Sequence, residues 1–452
     1  MLHNSIQAGR RLRIGLLHRF DARDIRTWSG ILFFMSRALE THVGEVVYLG
    51  PDKSIGTKCI ERFTDVLNRL TRKISNKACF TDKNRLLAFR LARVFGRRLK
   101  RNPCDIIFAP IASAELPFLN TGVPIVFCSD ITWPLIIDYY PDLNVTASAR
   151  AESFYIESLA VRRAAACTFP SEWAAESCCN DFGTSPTLTY RIPFGANLTK
   201  PPARAVAIER TLGAPLKLLM VGVNWERKGG PIAFECLTCL LKDGIDASLT
   251  VCGCVPPPEF DHPRLRVVPF LNKRDPQQWK QFEQLYLDAH FMLLPTRAEA
   301  LGVVLCEASA YGLPILATDT GGVRGALNDG VNGFAMPYEA RGDAYARKIT
   351  EAIAEPVRYQ NLVISSRDEY ERCLNWDAWA ISMRDVMEVA LCQKGEEASI
   401  SKPSRGTPAS NAVSVAEMRA RPSRTADATW AAEPPSSDRS KSAQVPRGTL
   451  RG

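Results

Sequence analysis

Long apolar runs are missing from this chain of 452 residues: none approaches the roughly 20 needed to cross a bilayer, so no integral membrane span is expected. No secretory leader is expected either. The opening MLHNSIQAGRRLRIGLLHRF is basic, but its apolar stretch Ile14 to Leu17 is far shorter than a signal-peptide core, and export is not implied. The fourteen cysteines follow no disulfide-framework spacing, as reduced thiols in a cytoplasm would not. Cys236 and Cys239 form one C-x-x-C and Cys252 and Cys254 one C-x-C. Neither has a second pair at zinc-finger spacing, so they read as small buried hydrophobes and no metal site is assigned. There is no internal repeat.

What is present suits a globular chain. Hydrophobic residues make up 46% and charged residues 23%, with 28 glycines, and the length accommodates two α/β domains. The net charge of +9 favours anionic partners without choosing among phosphates, nucleic acid and lipid head groups. Part of that charge is concentrated in RLLAFRLARVFGRRLKR, Arg85 to Arg101, which holds seven basic residues and no acid around Leu86, Phe89, Leu91, Val94 and Phe95. Two readings stand for it: an amphipathic helix lying on an anionic membrane, or a helix with its apolar stripe in the core and a solvated arginine face.

Short apolar runs alternate with longer helical patterns. The runs are Leu12 to His18, Glu45 to Leu49, Asp105 to Ala109, Pro124 to Cys128, Ala165 to Phe169 and Thr187 to Ile192. After a break at Lys200-Pro201-Pro202-Ala203 the rhythm restarts with Leu216 to Val221, Ala247 to Cys252, Leu265 to Pro269, Phe291 to Leu294 and Pro314 to Ala317. This predicts two α/β domains, each a doubly wound parallel sheet, with a site in the cleft between them. A last helix is predicted over Trp376 to Leu391 by the near-helical spacing of Trp376, Trp379, Ile381, Met383, Val386, Met387 and Val389. Beyond about Glu396 Ser, Pro, Ala, Arg and Thr dominate, and a disordered tail is expected over 396–452.

The most informative stretch is PTRAEALGVVLCEASAYGLPILATDTGG, Pro295 to Gly322. It leaves a strand, turns, and enters a helix at about Gly302. Glu299 lies before that helix and Glu307 in its second turn, so both can face the crevice at the carboxyl end of the sheet. Carboxylates only accept, and a sugar or ribose diol offers paired O–H donors. The free amides of Leu301, Gly302 and Val303, at a helix N-terminus, attract a phosphate. In TWSGILFFM, Thr27 to Met35, Ser29 is expected to cap a helix starting near Ile31, and Gly30 to let a phosphate approach its amino end.

E-x7-E, then A-x-A-x-G-x-P from Ala308 to Pro314, then T-x-T-G-G ending at Gly321 and Gly322, resembles the donor-site signature of the retaining GT-B glycosyltransferases of family GT4. The likeness extends over roughly residues 11 to 392. It takes in PFGAN, Pro193 to Asn197, as the stretch before the interdomain linker, and NWDAW near Trp376 as the start of a crossover helix. The resemblance implies Glu299 on donor-sugar hydroxyls, Glu307 on the ribose, and Lys228 of VGVNWERKGG, Val221 to Gly230, on the diphosphate. Two departures are visible. The arginine the family carries two residues after the strand's valine is replaced by Val223, with Arg227 beside Lys228 as the substitute, and a glutamate beyond the paired glycines is replaced by Gly325. Asp130, in FCSDITW, falls where the family places an acceptor-side catalytic group; it reads equally as an acceptor-orienting base or as a helix N-cap. His18 would face the same crevice, or be a satisfied core histidine.

On this reading residues 1–203 form the acceptor-side domain, 204–373 the donor domain and 374–395 the crossover helix. The expected activity is retaining, metal-independent transfer of a sugar from a nucleotide diphosphate-sugar to a glycan, lipid-linked or small-molecule hydroxyl, with no cofactor and no nucleic-acid partner. A catalytically silent nucleotide-sugar-binding or scaffold protein on the same fold is the alternative. The expected location is cytoplasmic, with residues 85–101 available for the inner face of the membrane. Glu307→Ala is expected to remove the thermal shift given by the nucleotide-sugar and leave the ligand-free melting point nearly unchanged.

Overall fold

The computed structural model describes residues 11–140 and 143–400. The first sheet holds β1 (Leu12–Leu16), β2 (Gly44–Tyr48), β3 (Ile106–Pro110), β4 (Ile125–Cys128), β5 (Ala166–Phe169) and β6 (Thr189–Arg191), ordered β2-β1-β3-β4-β5-β6. The second holds β7 (Leu216–Val221), β8 (Ala247–Cys252), β9 (Leu265–Val268), β10 (Phe291–Leu294), β11 (Ile315–Thr318) and β12 (Gly333–Met336), ordered β12-β11-β10-β7-β8-β9. Every pairing is parallel. Strands buried on both faces need no alternation, which is why IIFAP of β3, FMLL of β10 and ILAT of β11 are apolar or small throughout and wholly buried.

The first lobe's helices are α1 (Ile31–His42), α2 (Ile55–Ser75), α3 (Arg85–Arg101), α4 (Trp133–Tyr139), α5 (Ala147–Arg162) and α6 (Glu172–Phe182). A linker helix α7 (Arg204–Ile208) leads to α8 (Gly230–Lys242), α9 (Pro276–Asp288), α10 (Val303–Ala310), α11 (Gly342–Ile353) and α12 (Pro356–Arg372). Finally α13 (Trp376–Ile400) packs back on α1 and β4 of the first lobe. Two Rossmann-like parallel-sheet lobes facing each other, with a returning helix, are the GT-B arrangement expected from the sequence.

Strand order reverses between β1 and β3 in the first lobe and between β7 and β10 in the second. At such a reversal the loops leaving neighbouring strands diverge and open a crevice beyond the strands' carboxyl ends. The crevice is lined from the loops after β1 and β4 in the first lobe and after β7, β8, β9 and β10 in the second.

One expectation needed correction, one strand was unforeseen, and one open choice was resolved. Helix α13 does not stop at 391 or 395 but continues to Ile400, so residues 396–400 are helical; the rest of the expected tail, 401–452, lies outside the described residues. Strand β12 was not anticipated, because GFAM is short and opens on glycine; its register against β11 defines it. In α3 the core-facing reading holds for the buried Leu87, Leu91, Phe95 and Leu99, while Leu86 and Phe89 stay half exposed. Asn84 caps that helix, its side chain accepting the Leu87 N–H at 3.0 Å.

Candidate active site

The turn after β7 is tied to the turn after β10. The Thr296 hydroxyl and the Arg297 amide both donate to the Arg227 carbonyl, at 3.0 and 2.8 Å. Asn224 fixes the same turn from inside, its side chain accepting the Arg227 N–H at 2.8 Å. The result brings two cations and a carboxylate together. Lys228 Nζ is in contact with Glu299 Oε2, and Arg227 Nη1 lies 3.8 Å from the same oxygen while donating to the Ala298 carbonyl at 2.8 Å. The Lys228 and Glu299 side chains are only 10% and 11% exposed, so this pair is poorly screened by water.

Helix α10 begins at once after this turn, with Gly302 as its N-cap at φ 83° and no side chain capping it. Only glycine takes that backbone without strain, and the uncapped helix end keeps its amides for a ligand. Glu307, in the second turn of α10, is nearly fully buried. Its Oε1 accepts from Lys273 Nζ at 2.6 Å and its Oε2 from the Tyr286 hydroxyl at 3.1 Å. Burial and the Glu307 charge together push the Tyr286 phenol far above its ordinary range, so it stays a donor.

From the first lobe comes an unusual loop. Trp28, Ser29 and Gly30 all have positive φ, at 49°, 54° and 90°, before α1 starts at Ile31. Two consecutive non-glycine residues in this region cost on the order of 1–3 kcal/mol each and persist only when held. They are held: the Trp28 indole N–H donates to Asp130 Oδ2 at 3.2 Å, and Asn197 Nδ2 donates to the Ser29 carbonyl at 2.8 Å. Ser29 is thus not the expected cap; Gly30 occupies the N-cap position of α1 and no side chain caps it. Tertiary contacts override the local preference of serine. Asp130 is likewise not an N-cap, since Thr132 holds that position for α4. Burial pushes the Asp130 carboxyl up to about 6, opposed by the Trp28 hydrogen bond and reinforced by the Glu299 charge.

These groups line one cavity of about 640 Å³ between the lobes, within the usual range for small-ligand sites. Ser29, Gly30, Asp130, Arg227, Lys228, Glu299, Leu301, Gly302, Val303 and Glu307 all border it. His18 does not. It is buried, only 2% exposed, with Nδ1 accepting from the Phe20 amide at 3.1 Å, and burial lowers its pKa to about 3. It is a neutral core histidine.

Several lining or supporting residues escaped the sequence reading. Lys273 and Tyr286 grip Glu307 from segments without a recognisable pattern. Tyr139, at the end of α4, reaches across from the first lobe: its hydroxyl accepts the Glu299 N–H at 2.8 Å and lies 2.9 Å from the Thr320 hydroxyl. Arg274 crosses the same gap to Asp24 at 2.6 Å. The departures at 223 and 325 also acquire a physical setting. Val223 is 67% exposed on the cavity rim. At Gly325 even a Cβ would come within 2.7 Å of the Pro170 carbonyl, so no glutamate fits there in this arrangement.

Residues 209–369 match the family described as Glycosyl transferases group 1. A D-inositol 3-phosphate glycosyltransferase of Streptomyces bingchenggensis is 30% identical over 128 residues, 28% of this chain and 28% of that protein. The chain thus matches only about a quarter of the length of such curated relatives. Among solved structures, a glycosyltransferase from Rickettsia africae superposes with TM-score 0.58 at 13% identity, over 84% of this chain and 98% of its own. The Anabaena protein HepE, solved in complex with UDP, gives 0.54 at 14% identity, over 84% and 100%. The stretch that matches the group 1 glycosyl transferases is the second lobe, which supplies Lys228, Glu299 and Glu307 to the cavity.

Proposed function

We propose that the chain is a retaining glycosyltransferase that moves a sugar from a nucleotide diphosphate-sugar to a hydroxyl acceptor. The observation that carries this reading is the gathering of Arg227 and Lys228, Glu299, Glu307 and the uncapped start of α10 around one inter-lobe cavity. A pyrophosphate entering that cavity draws Lys228 away from Glu299 and frees the carboxylate to accept from donor-sugar hydroxyls. Lys228, Arg227 and the α10 amides then offset the charge that builds on the leaving diphosphate as the anomeric bond loosens. Glu307 accepts from the ribose diol, with Lys273 and Tyr286 fixing its orientation.

Because two side-chain cations already face the diphosphate position, the reaction is proposed to run without a divalent metal. Arg227 stands in for the arginine missing at 223. The acceptor enters from the first-lobe wall, where Asp130 orients its hydroxyl and takes its proton. Retention is carried by the resemblance to family GT4, and the donor class is supported by HepE, a structural neighbour solved with UDP. A cytoplasmic setting suits fourteen free thiols. Any membrane contact through 85–101 would use the arginine face of α3, because its main apolar stripe is buried.

Thermal-shift panels with UDP-, GDP- and ADP-sugars identify the donor, since a tight ligand raises the melting temperature by mass action. Release of the nucleoside diphosphate with candidate acceptors then separates catalysis from mere binding. A donor that binds tightly but is never turned over would support the silent scaffold instead, which Val223 and Gly325 favour.

A further inference from the structure

Helix α2 presents its apolar side to solvent. Ile55, Phe63, Val66, Leu70 and Ile74 are 80%, 52%, 53%, 51% and 87% exposed, and Cys59 is exposed among them. Their spacings of four, four, three, four and four residues place all six on one arc of about 100° running nearly 30 Å along the helix. Lys58, Arg62, Arg69 and Lys73, all exposed, form a row along one border of that arc. The helix's two acids, Glu61 and Asp65, lie beyond the basic row.

This orientation is fixed by the opposite face. Asn68 Oδ1 accepts the amides of Cys79 and Phe80 at 2.9 and 2.8 Å, and its Nδ2 donates to the Phe80 carbonyl at 3.0 Å. Thr57 donates to Asp52 at 2.5 Å, and the buried Thr64 lies on the same side. With its polar face bound to the lobe, α2 cannot roll its apolar arc inward.

We propose that α2 is a docking helix for the surface of an anionic lipid bilayer, with Ile55, Phe63, Val66, Leu70 and Ile74 in the head-group and acyl boundary and the basic row against lipid phosphates. A straight convex ridge of apolar side chains fits a plane, and a border of unpaired positive charge selects a negative one. The neighbouring α3 adds exposed Arg93, Arg97, Lys100 and Arg101 and no acid. No described helix is long and apolar enough to cross a membrane, so contact is confined to the surface. The inference does not rest on the transferase reading.

The test is co-sedimentation of the full chain with vesicles of phosphatidylcholine alone and of phosphatidylcholine mixed with phosphatidylglycerol. Wild type should pellet with the anionic vesicles, much less with the neutral ones, and be partly released by high salt. The combined variant Phe63→Ser, Leu70→Ser, Ile74→Ser should lower partitioning by about tenfold or more, with far-UV circular dichroism and melting temperature unchanged, since these side chains are exposed. In a Phe63→Trp variant, fluorescence should shift to the blue on addition of anionic vesicles only. No pelleting of wild type, equal pelleting of the triple variant, or a wild-type dimer that the triple variant converts to monomer would each overturn the proposal.

Discussion

Replacing Lys228 by alanine removes the charge on which the proposed chemistry depends, and its effect can be sized. In the ligand-free protein the ammonium contacts Glu299, both side chains being about nine-tenths buried. Losing one partner of a buried pair costs roughly 3–5 kcal/mol when the other charge is stranded. Here Arg227 remains 3.8 Å from the carboxylate, so the expected loss of stability is smaller, about 1–2 kcal/mol. That lowers the melting temperature by several degrees and leaves a folded protein to assay. The catalytic loss is larger. A unit charge about 4 Å from a developing negative charge, at an effective dielectric near 20, is worth about 4 kcal/mol. Arg227 and the α10 dipole retain part of it, leaving about 3 kcal/mol, or a fall of about 10²–10³ in kcat. KM for the donor should rise less than tenfold, because the bound diphosphate also loses its competition with Glu299 for the lysine. The assay is initial-rate release of nucleoside diphosphate, with calorimetry for nucleotide affinity. A folded K228A enzyme whose kcat stays within tenfold of wild type would refute the role assigned to this lysine.

Asp130→Asn should lower kcat/KM by about 10²–10⁴-fold and abolish a rise in activity as pH climbs through about 6, measured as a pH–rate profile. The same group sets a stability sign: folding raises its pKa, so its contribution is complete below about pH 4 and lost by about pH 6, and D130N should match wild type in melting temperature at pH 4 but exceed it at pH 8. Glu307→Ala should abolish the nucleotide-induced thermal shift and, contrary to the expectation from sequence, also lower the ligand-free melting point, because it strands Lys273 and the Tyr286 hydroxyl; Glu307→Gln, which keeps an acceptor, should lower it less. Tyr139→Phe leaves the Glu299 amide unpaired and should reduce kcat by about tenfold with little change in nucleotide affinity, read by steady-state kinetics beside calorimetry.

The sheets were legible because parallel strands covered on both sides are short apolar blocks between turn residues, and β7, β8 and β10 begin and end where those blocks do. That Glu299 and Glu307 border one cavity was legible because they sit at a spacing set by one turn and one helix, a local relation the chain order preserves. What was not legible depends on distant partners. Nothing near Ser29 announces that Asn197 and Asp130 hold its loop left-handed, 168 and about 100 residues away. Lys273, Tyr286 and Tyr139 likewise acquire a role only from the carboxylate or amide they meet. The exposed face of α2 escaped notice because amphipathicity alone does not say which stripe points inward. In α3 the apolar one does, and in α2 it does not.

Asn197 joins two parts of the molecule that lie far apart in the chain. One edge of its amide binds the Ser29 carbonyl behind the glycine loop, and the other accepts the indole N–H of Trp376, where the chain returns from the second lobe. A swing of the lobes that broke either bond would strand a buried polar group, so the pivot and the loop are geared together. A change in the angle between the lobes would therefore have to carry the Trp28–Gly30 loop with it or break one of these two bonds, which makes the geometry of that wall a matter of leverage as much as of fit.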